Sequence, residues 1–291
     1  ALACHAQAAV IVVDHSGSGD YLTIREGLDA ATYGDTVLVA CGAYYEHDIS
    51  LKSGVALMSE TGEPGCVTVD AEQAGRVFVC SGADSTTRLE GLTVTGGLSS
   101  TTGGGMKCED SSLTITGCAF DYNKADHAGG DAKGGAIDFI QSSPTISGCT
   151  FTGNVVSTEW PHGTTCGGAL SFGQGNATVS DCAFTGNGEC AYEGGAVYSY
   201  GGTLIVQSST FTENTALYGG GLSGYGVTLV DCVFERNGYN HTRGGGATVS
   251  NATVAGCRFE DNVAEFAGGA LAHHLCLFTD CAFSGNVAKY T

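Results

Sequence analysis

The chain has 291 residues, of which 47 are glycine and three are proline, and its 30 acidic against 11 basic side chains leave a net charge of −19. Glycine at this density weakens helices, while Val, Thr, Ile and Phe favour strands, so a mainly helical protein is excluded. The surplus of carboxylates repels nucleic acid, whose affinity rests on Lys and Arg neutralising phosphates, and no apolar run reaches membrane-spanning length.

In chain order, the opening Ala1-Leu2-Ala3-Cys4-His5-Ala6-Gln7-Ala8 has the form of a secretory-signal tail, with Ala6-Gln7-Ala8 as a small-x-small cleavage site and a mature start near Ala9. If the segment is retained, Cys4 anchors it. Thr23 followed by Glu26 starts the one convincing helix, which runs to Ala31 with Ile24, Leu28 and Ala31 on one face. Residues 1–33 therefore read as an N-terminal segment with a capping helix. Across 34–102, Val37-Leu38-Val39, Val55-Ala56-Leu57, Val67-Thr68-Val69, Val77-Phe78-Val79 and Leu92-Thr93-Val94 are short strands between Gly or Asp turns.

From 103 to 291 a repeat takes over. Phe-x-x-Asn recurs seven times, as Phe120/Asn123, Phe151/Asn154, Phe184/Asn187, Phe211/Asn214, Phe234/Asn237, Phe259/Asn262 and Phe283/Asn286. A glycine run precedes each: Gly103-Gly104-Gly105-Met106, Gly134-Gly135-Ala136-Ile137, Gly167-Gly168-Ala169-Leu170, Gly194-Gly195-Ala196-Val197, Gly219-Gly220-Gly221-Leu222, Gly244-Gly245-Gly246-Ala247 and Gly268-Gly269-Ala270-Leu271. The spacing suits one solenoid coil with a variable loop, and stacked coils share a core that no coil could bury alone. The reading is a single all-β domain, a right-handed parallel β-helix with seven repeat coils after divergent ones. In Thr145-Ile146-Ser147-Gly148-Cys149-Thr150-Phe151, strict alternation cannot bury both Ile146 and Phe151, so a bend is expected at the glycine.

Parallel coils about 4.8 Å apart place like residues in columns. Asn in a column can bond the Asn above and below, and tolerates the left-handed conformation at a turn. Cys118, Cys149, Cys182, Cys232, Cys257 and Cys281 lie two residues before their Phe, with Ser209 interrupting, and form either disulfides or a free-thiol column. Cys166 and Cys190, in adjacent loops, form the better disulfide candidate. Fourteen cysteines without a CxxC pair point to an oxidising, extracellular or cell-surface location.

The paired glycine-run and Phe-x-x-Asn units over 103–286 resemble those of the chlamydial polymorphic outer-membrane proteins, which implies a β-helical surface adhesin. Asp14-His15-Ser16-Gly17-Ser18-Gly19-Asp20-Tyr21-Leu22-Thr23-Ile24 and Gly42-Ala43-Tyr44-Tyr45-Glu46 are similar to opening segments of pectin methylesterases, within the pectin-lyase-like superfamily. That resemblance implies the β-helix. It would further imply two catalytic Asp, a Gln pair and an Arg. Asp138-Phe139-Ile140 matches a fragment of one such motif, Gln141-Ser142 departs from it, and the Gln-bearing and Arg-Pro-Trp segments are missing. The resemblance carries the fold and not the esterase activity.

Among candidate sites, Lys124, Asp126, His127, Asp131 and Lys133 form the densest ionisable loop, best read as solvated. The post-Asn loops carry Trp160, His162, Tyr192, Tyr218, Tyr239, His241, Phe266 and Tyr290 beside Glu159, Glu189, Glu193 and Glu265, an aromatic and acidic edge suited to a glycan or protein. His273 and His274 face opposite ways on a strand, so no metal pair is expected. Asn176, Asn240 and Asn251 head glycosylation sequons. No phosphate-binding loop, zincin helix, nucleophile elbow or EF-hand appears, so no cofactor or metal is expected. The chain reads as a non-enzymatic structural or adhesive rod whose partner is a glycan, a protein or, end to end in filaments, itself. The alternative is a carbohydrate-active enzyme on the same fold.

Overall fold

The computed structural model describes residues 8–158, 164–239 and 241–290; Cys4, Ala6-Gln7, Trp160 and His162 lie outside them. The chain winds as a parallel β-solenoid with one short helix. Three sheets run its length: eleven strands from Val10–Val13 to Leu277–Thr279, ten from Gly42–Tyr45 to Ala282–Ser284, and nine from Ile49–Leu51 to Ala270–His273. Short ladders such as Ala132–Lys133, Thr165–Cys166, Ala191–Glu193 and Ala216–Tyr218 follow the loop edge.

The helix, Ile24–Ala30, is capped by the Thr23 hydroxyl, which accepts from the Glu26 N–H at 3.2 Å. It packs on the first strands so closely that a Cβ on Gly27 would stand 2.5 Å from Val13 Cγ2. Val10–Val13 pairs with Thr36–Val39, so the solenoid starts within the first 33 residues and not after them.

The coil around Phe151 shows the common plan. Ile146, Cys149 and Phe151 are all buried, and Gly148, at φ 61°, supplies the bend between Thr145–Ser147 and Thr150–Thr152. A left-handed residue precedes every member of the Cys/Ser column, from Gly117 to Asp280, with φ between 49° and 63°. A second precedes every asparagine of the repeat: Tyr122, Gly153, Gly186, Glu213, Arg236, Asp261 and Gly285. The left-handed turn expected at the asparagines is thus corrected by one position: Arg236 and Asp261 take it at φ 53°, and Asn237 and Asn262 behind them do not. The physical reason is that Asn123, Asn154, Asn187, Asn214, Asn237 and Asn262 turn their side chains inward, where each is fully or almost fully buried.

There the seven asparagines form one hydrogen-bonded column. Asn154 donates from its main-chain N–H and from Nδ2 to Asn187 Oδ1, at 2.9 and 3.0 Å, and Nδ2 also donates to Phe120 O at 2.8 Å. The pattern repeats from Asn123 to Asn286. Asn237 donates in the same way to Asn262 Oδ1, at 2.9 and 3.0 Å, and to Phe211 O at 2.8 Å. Asn262 donates to Asn286 Oδ1, at 3.0 and 2.9 Å, and to Phe234 O at 2.8 Å. Beside this column, Phe120, Phe151, Phe184, Phe211, Phe234, Phe259 and Phe283 stack with ring centroids 4.6 to 5.3 Å apart and nearly coplanar. Phe283, in the last coil, is 53% exposed.

The glycine runs let neighbouring coils approach. Gly134 is left-handed, and a Cβ on Gly135 would come within 2.2 Å of Gly168 O and 2.5 Å of Val155 O. The final run slips by one residue. Ala247 pairs with Ala270, so Ala270 takes the inward place of Leu222 and Ala247, while Leu271 moves to the outer position beside Thr248.

The column cysteines are free thiols. Each donates from Sγ to the carbonyl two residues earlier, at 3.1 to 3.4 Å. Cys149 Sγ accepts from the Cys118 N–H and Cys257 Sγ from the Cys232 N–H. Ser209 serves identically, donating to Gln207 O at 2.8 Å and accepting from the Cys182 N–H at 3.1 Å. The pairing expected of Cys166 and Cys190 is not made: Cys166 is opposite Glu193, three residues beyond Cys190, and is buried while Cys190 is exposed. Burial, with Glu193 adding, pushes the Cys166 thiol up to about 12. A disulfide instead joins Cys41 and Cys66, the residues before the paired Gly42 and Val67, with Cα atoms 4.6 Å apart.

Asn187→Ala should cost about 3 kcal/mol or more, because it takes the shared acceptor from both Asn154 donors and the Nδ2 donor from Phe151 O in the core. Asn286→Ala, at a half-buried position, should cost less than Asn187→Ala, and Ser209→Cys should be near neutral; denaturant unfolding checks all three. Peptide mapping without reduction should recover the Cys41–Cys66 link. Alkylation of the native protein should modify Cys190 while sparing Cys118, Cys149, Cys182, Cys232 and Cys257 until denaturation.

Candidate functional site

The outer face of the nine-stranded sheet carries one residue per coil between two inward-facing ones. In register these are Lys107, Asp138, Ser171, Tyr198, Ser223 and Thr248. They point away from the core, yet Asp138 and Ser171 are only 3% and 2% exposed. The flanks rise above the sheet and leave three depressions in line along the axis. The first, about 400 Å3, is lined by Ser50, Arg76, Val79, Lys107 and Glu109 among others. The second, about 280 Å3, is lined by Thr102, Lys133, Asp138, Ser171, Tyr198 and Tyr200. The third, about 170 Å3, shares both tyrosines and adds Glu193, Ser223, Tyr225, Thr248 and His273. Together they form a groove of hydroxyls, phenol rings and a few charges.

Asp138 is its most deeply buried carboxyl. Burial raises its pKa above the ordinary 3.8, against hydrogen bonds from Thr102 and Ser171 and the charges of Lys133 and Lys107. Lys133 pairs with Asp131 at 3.1 Å and Lys107 with Glu109 at 2.6 Å. Arg76 donates to Gly103 O and Thr102 O at 2.7 and 2.8 Å and to Ser99 Oγ at 2.7 Å. Farther along, burial and the nearby Cys166 and Glu193 hold the Tyr198 phenol above its usual range.

The aromatic loop edge is brought together differently from a ligand platform. Tyr192 and Tyr218 meet at 5.3 Å, and Phe266 and Tyr290 at 6.4 Å. Between them the Arg243 guanidinium lies 5.5 Å from the Tyr218 ring and 5.2 Å from the Phe266 ring, donating to Tyr218 Oη at 3.1 Å. Tyr239 and His241 meet edge to face at 6.3 Å. These rings touch one another and Arg243, while Tyr192, Tyr239, Phe266 and Tyr290 stay exposed.

Of the ionisable loop, Lys124 pairs with Asp126 at 2.7 Å and His127 Nδ1 lies 3.1 Å from Asp131 O; Lys133 lines the groove. His273 lines the third depression, while His274 is left-handed at φ 54° and belongs to the following turn. The ladder residues Asn237 and Asn262 are closed off in the core and present nothing to a ligand. Asn176 and Asn251 are exposed, and Asn240 lies outside the described residues. The one close metal-type cluster among the described residues, Cys41, Glu60 and Cys66, has its sulfurs in the disulfide. The groove tyrosines Tyr198, Tyr200 and Tyr225 escaped the sequence reading. Tyr198 sits between the inward-facing Val197 and Ser199, and Tyr200 and Tyr225 follow at the strand end.

The profile of the family described as the right-handed β-helix region matches residues 53–227 and 162–288, and the chain belongs to that family. Among solved structures it is similar to the pectin methylesterase PemA of Erwinia chrysanthemi, with 10% identity and a TM-score of 0.45 over 87% of this chain and 80% of that one. It is likewise similar to PfbA, a surface adhesin of Streptococcus pneumoniae, with 11% identity and a TM-score of 0.38 over 92% and 88%. ORF18 of Geobacillus virus E2 gives 12% identity and a TM-score of 0.44, this chain covering 94% of its own length and spanning 60% of the viral protein. At these identities the likeness is one of fold. No curated protein matches the sequence.

Because the folded pKa of Asp138 lies above its unfolded value, the folded chain holds the extra proton in that window, and stability falls as pH rises through it. Asp138→Asn should therefore raise Tm at neutral pH, by about 2–4 °C for each kcal/mol of relieved burial, and change little below both pKa values. Thermal scans across pH test this; a lower Tm at neutral pH would contradict it.

Proposed function

We propose that this protein is an extracellular binding rod that holds an extended glycan along the groove on its nine-stranded sheet. The observation that carries the reading is the alignment of three depressions, with tyrosines and hydroxyls repeating at the coil spacing, on a scaffold fixed by its ladders. Sugar rings offer apolar faces to aromatic rings and hydroxyls to Ser, Thr and carboxylate partners, and an extended chain can touch several coils at once. The groove is favoured over the loop edge because the edge aromatics already contact one another and Arg243. The Cys41–Cys66 disulfide supports an oxidising location, and the repeats resemble those of surface adhesins.

The second reading, a carbohydrate-active enzyme, rests on Asp138, a buried carboxyl in the groove whose raised pKa suits a proton donor. Glycan-array binding followed by reducing-end and unsaturated-product assays separates the two. Binding without turnover is expected, with Tyr198→Ala weakening it by about tenfold and Phe266→Ala changing it by less than about twofold. Turnover lost in Asp138→Asn would establish the enzyme instead.

A further inference from the structure

The groove has two halves of different charge. In the half nearer the first coils the cations are occupied, Arg76 by main-chain carbonyls, Lys107 by Glu109 and Lys133 by Asp131. In the other half, the described residues lining the third depression include Glu193 and His273 and no Lys or Arg. Glu193 is half-buried, and its carboxylate accepts from the Ser223 hydroxyl at 3.1 Å without an ion pair among the described residues. The cations two coils away on its ladder are engaged elsewhere: Lys133 is held by Asp131, and Arg243 by Tyr218 and Phe266. Tyr198, Tyr200 and Tyr225 surround the same place.

A carboxylate partly withdrawn from water beside phenol faces attracts a cation and repels an anion. Resting on the glycan reading above, we infer that this half of the groove selects amine-bearing sugars of the glucosamine type over uronates. Glu193 pairs with the ammonium while the tyrosines carry the ring faces. The raised pKa of the Tyr198 phenol agrees, since burial first and the surrounding acidic groups next disfavour a further negative charge there. The whole-molecule charge of −19 works in the same direction at longer range.

The test is calorimetric titration of the full chain with glucosamine, glucose and galacturonate hexamers, just below neutral pH and at low salt. The glucosamine hexamer should bind at least about tenfold more tightly than the galacturonate hexamer, with the preference shrinking as salt is added. Glu193→Gln, which keeps an acceptor for Ser223, should remove most of the preference for the amine hexamer over the neutral and acidic ones. Tighter galacturonate binding, equal affinity for the amine and neutral hexamers, or a preference that survives Glu193→Gln would overturn the inference while leaving a glycan groove in place. Failure of all three hexamers, and of every glycan on the array, would sink the groove reading as well.

Discussion

Each coil must present an asparagine Oδ1 where the Asn of the preceding coil points both its main-chain N–H and its Nδ2, and this requirement sets the register of the solenoid. Asn187 makes five bonds of this kind while buried, accepting two from Asn154, donating twice to Asn214 Oδ1 from its main-chain N–H and Nδ2, and donating from Nδ2 to Phe151 O. A slip of one residue in the turn would leave several buried donors and acceptors unpaired, each costing about 1–3 kcal/mol. The phenylalanine column follows as a consequence, because a fixed distance from Asn back to Phe brings ring over ring. So does the Cys and Ser column, which closes the other turn by the same logic of donating backward along the chain and accepting from the neighbouring coil.

The columns were legible because their spacing within a coil is constant while the loops absorb every change in length. The broken alternation around Gly148 could also be read, since Ile146 and Phe151 cannot share a face without a bend. Which residue takes the left-handed turn was not legible: Tyr122, Glu213, Arg236 and Asp261 occupy it as well as glycines. Only the geometry shows that Asn237, Asn262 and their counterparts must be kept for the ladder. The last coil misled for a different reason. Ala267-Gly268-Gly269-Ala270-Leu271 fits two alignments equally well, and strand pairing selects the one that places Ala270 inward. The Cys41–Cys66 bridge lies in coils without a repeat motif, where register comes from the strand ladders alone.

The groove was harder to see than the core. A polar residue between two apolar ones marks any half-buried strand, so Ser171 and Tyr198 carried no distinguishing sign, and Asp138 stood out only through the motif fragment Asp138-Phe139-Ile140. Their surroundings include residues outside the sheet, Thr102 and Lys133, from flanks that vary in length and sequence from coil to coil. The aromatic loop edge had the opposite fate: its residues stood out in the sequence, but Arg243 sits between their rings. A rigid periodic core thus fixes where side chains recur, while the irregular flanks decide which recurring face becomes a site.

The central claim is that ligand binding belongs to the outer face of the nine-stranded sheet. Hydrogen–deuterium exchange with and without a bound glycan tests it most directly. Slowed exchange centred on Ile137–Ile140, Leu170–Phe172, Val197–Ser199 and Leu222–Tyr225, with Glu193 beside them, is the expected result. Slowed exchange at Ala216–Tyr218 on the loop edge, with the sheet unchanged, would contradict it.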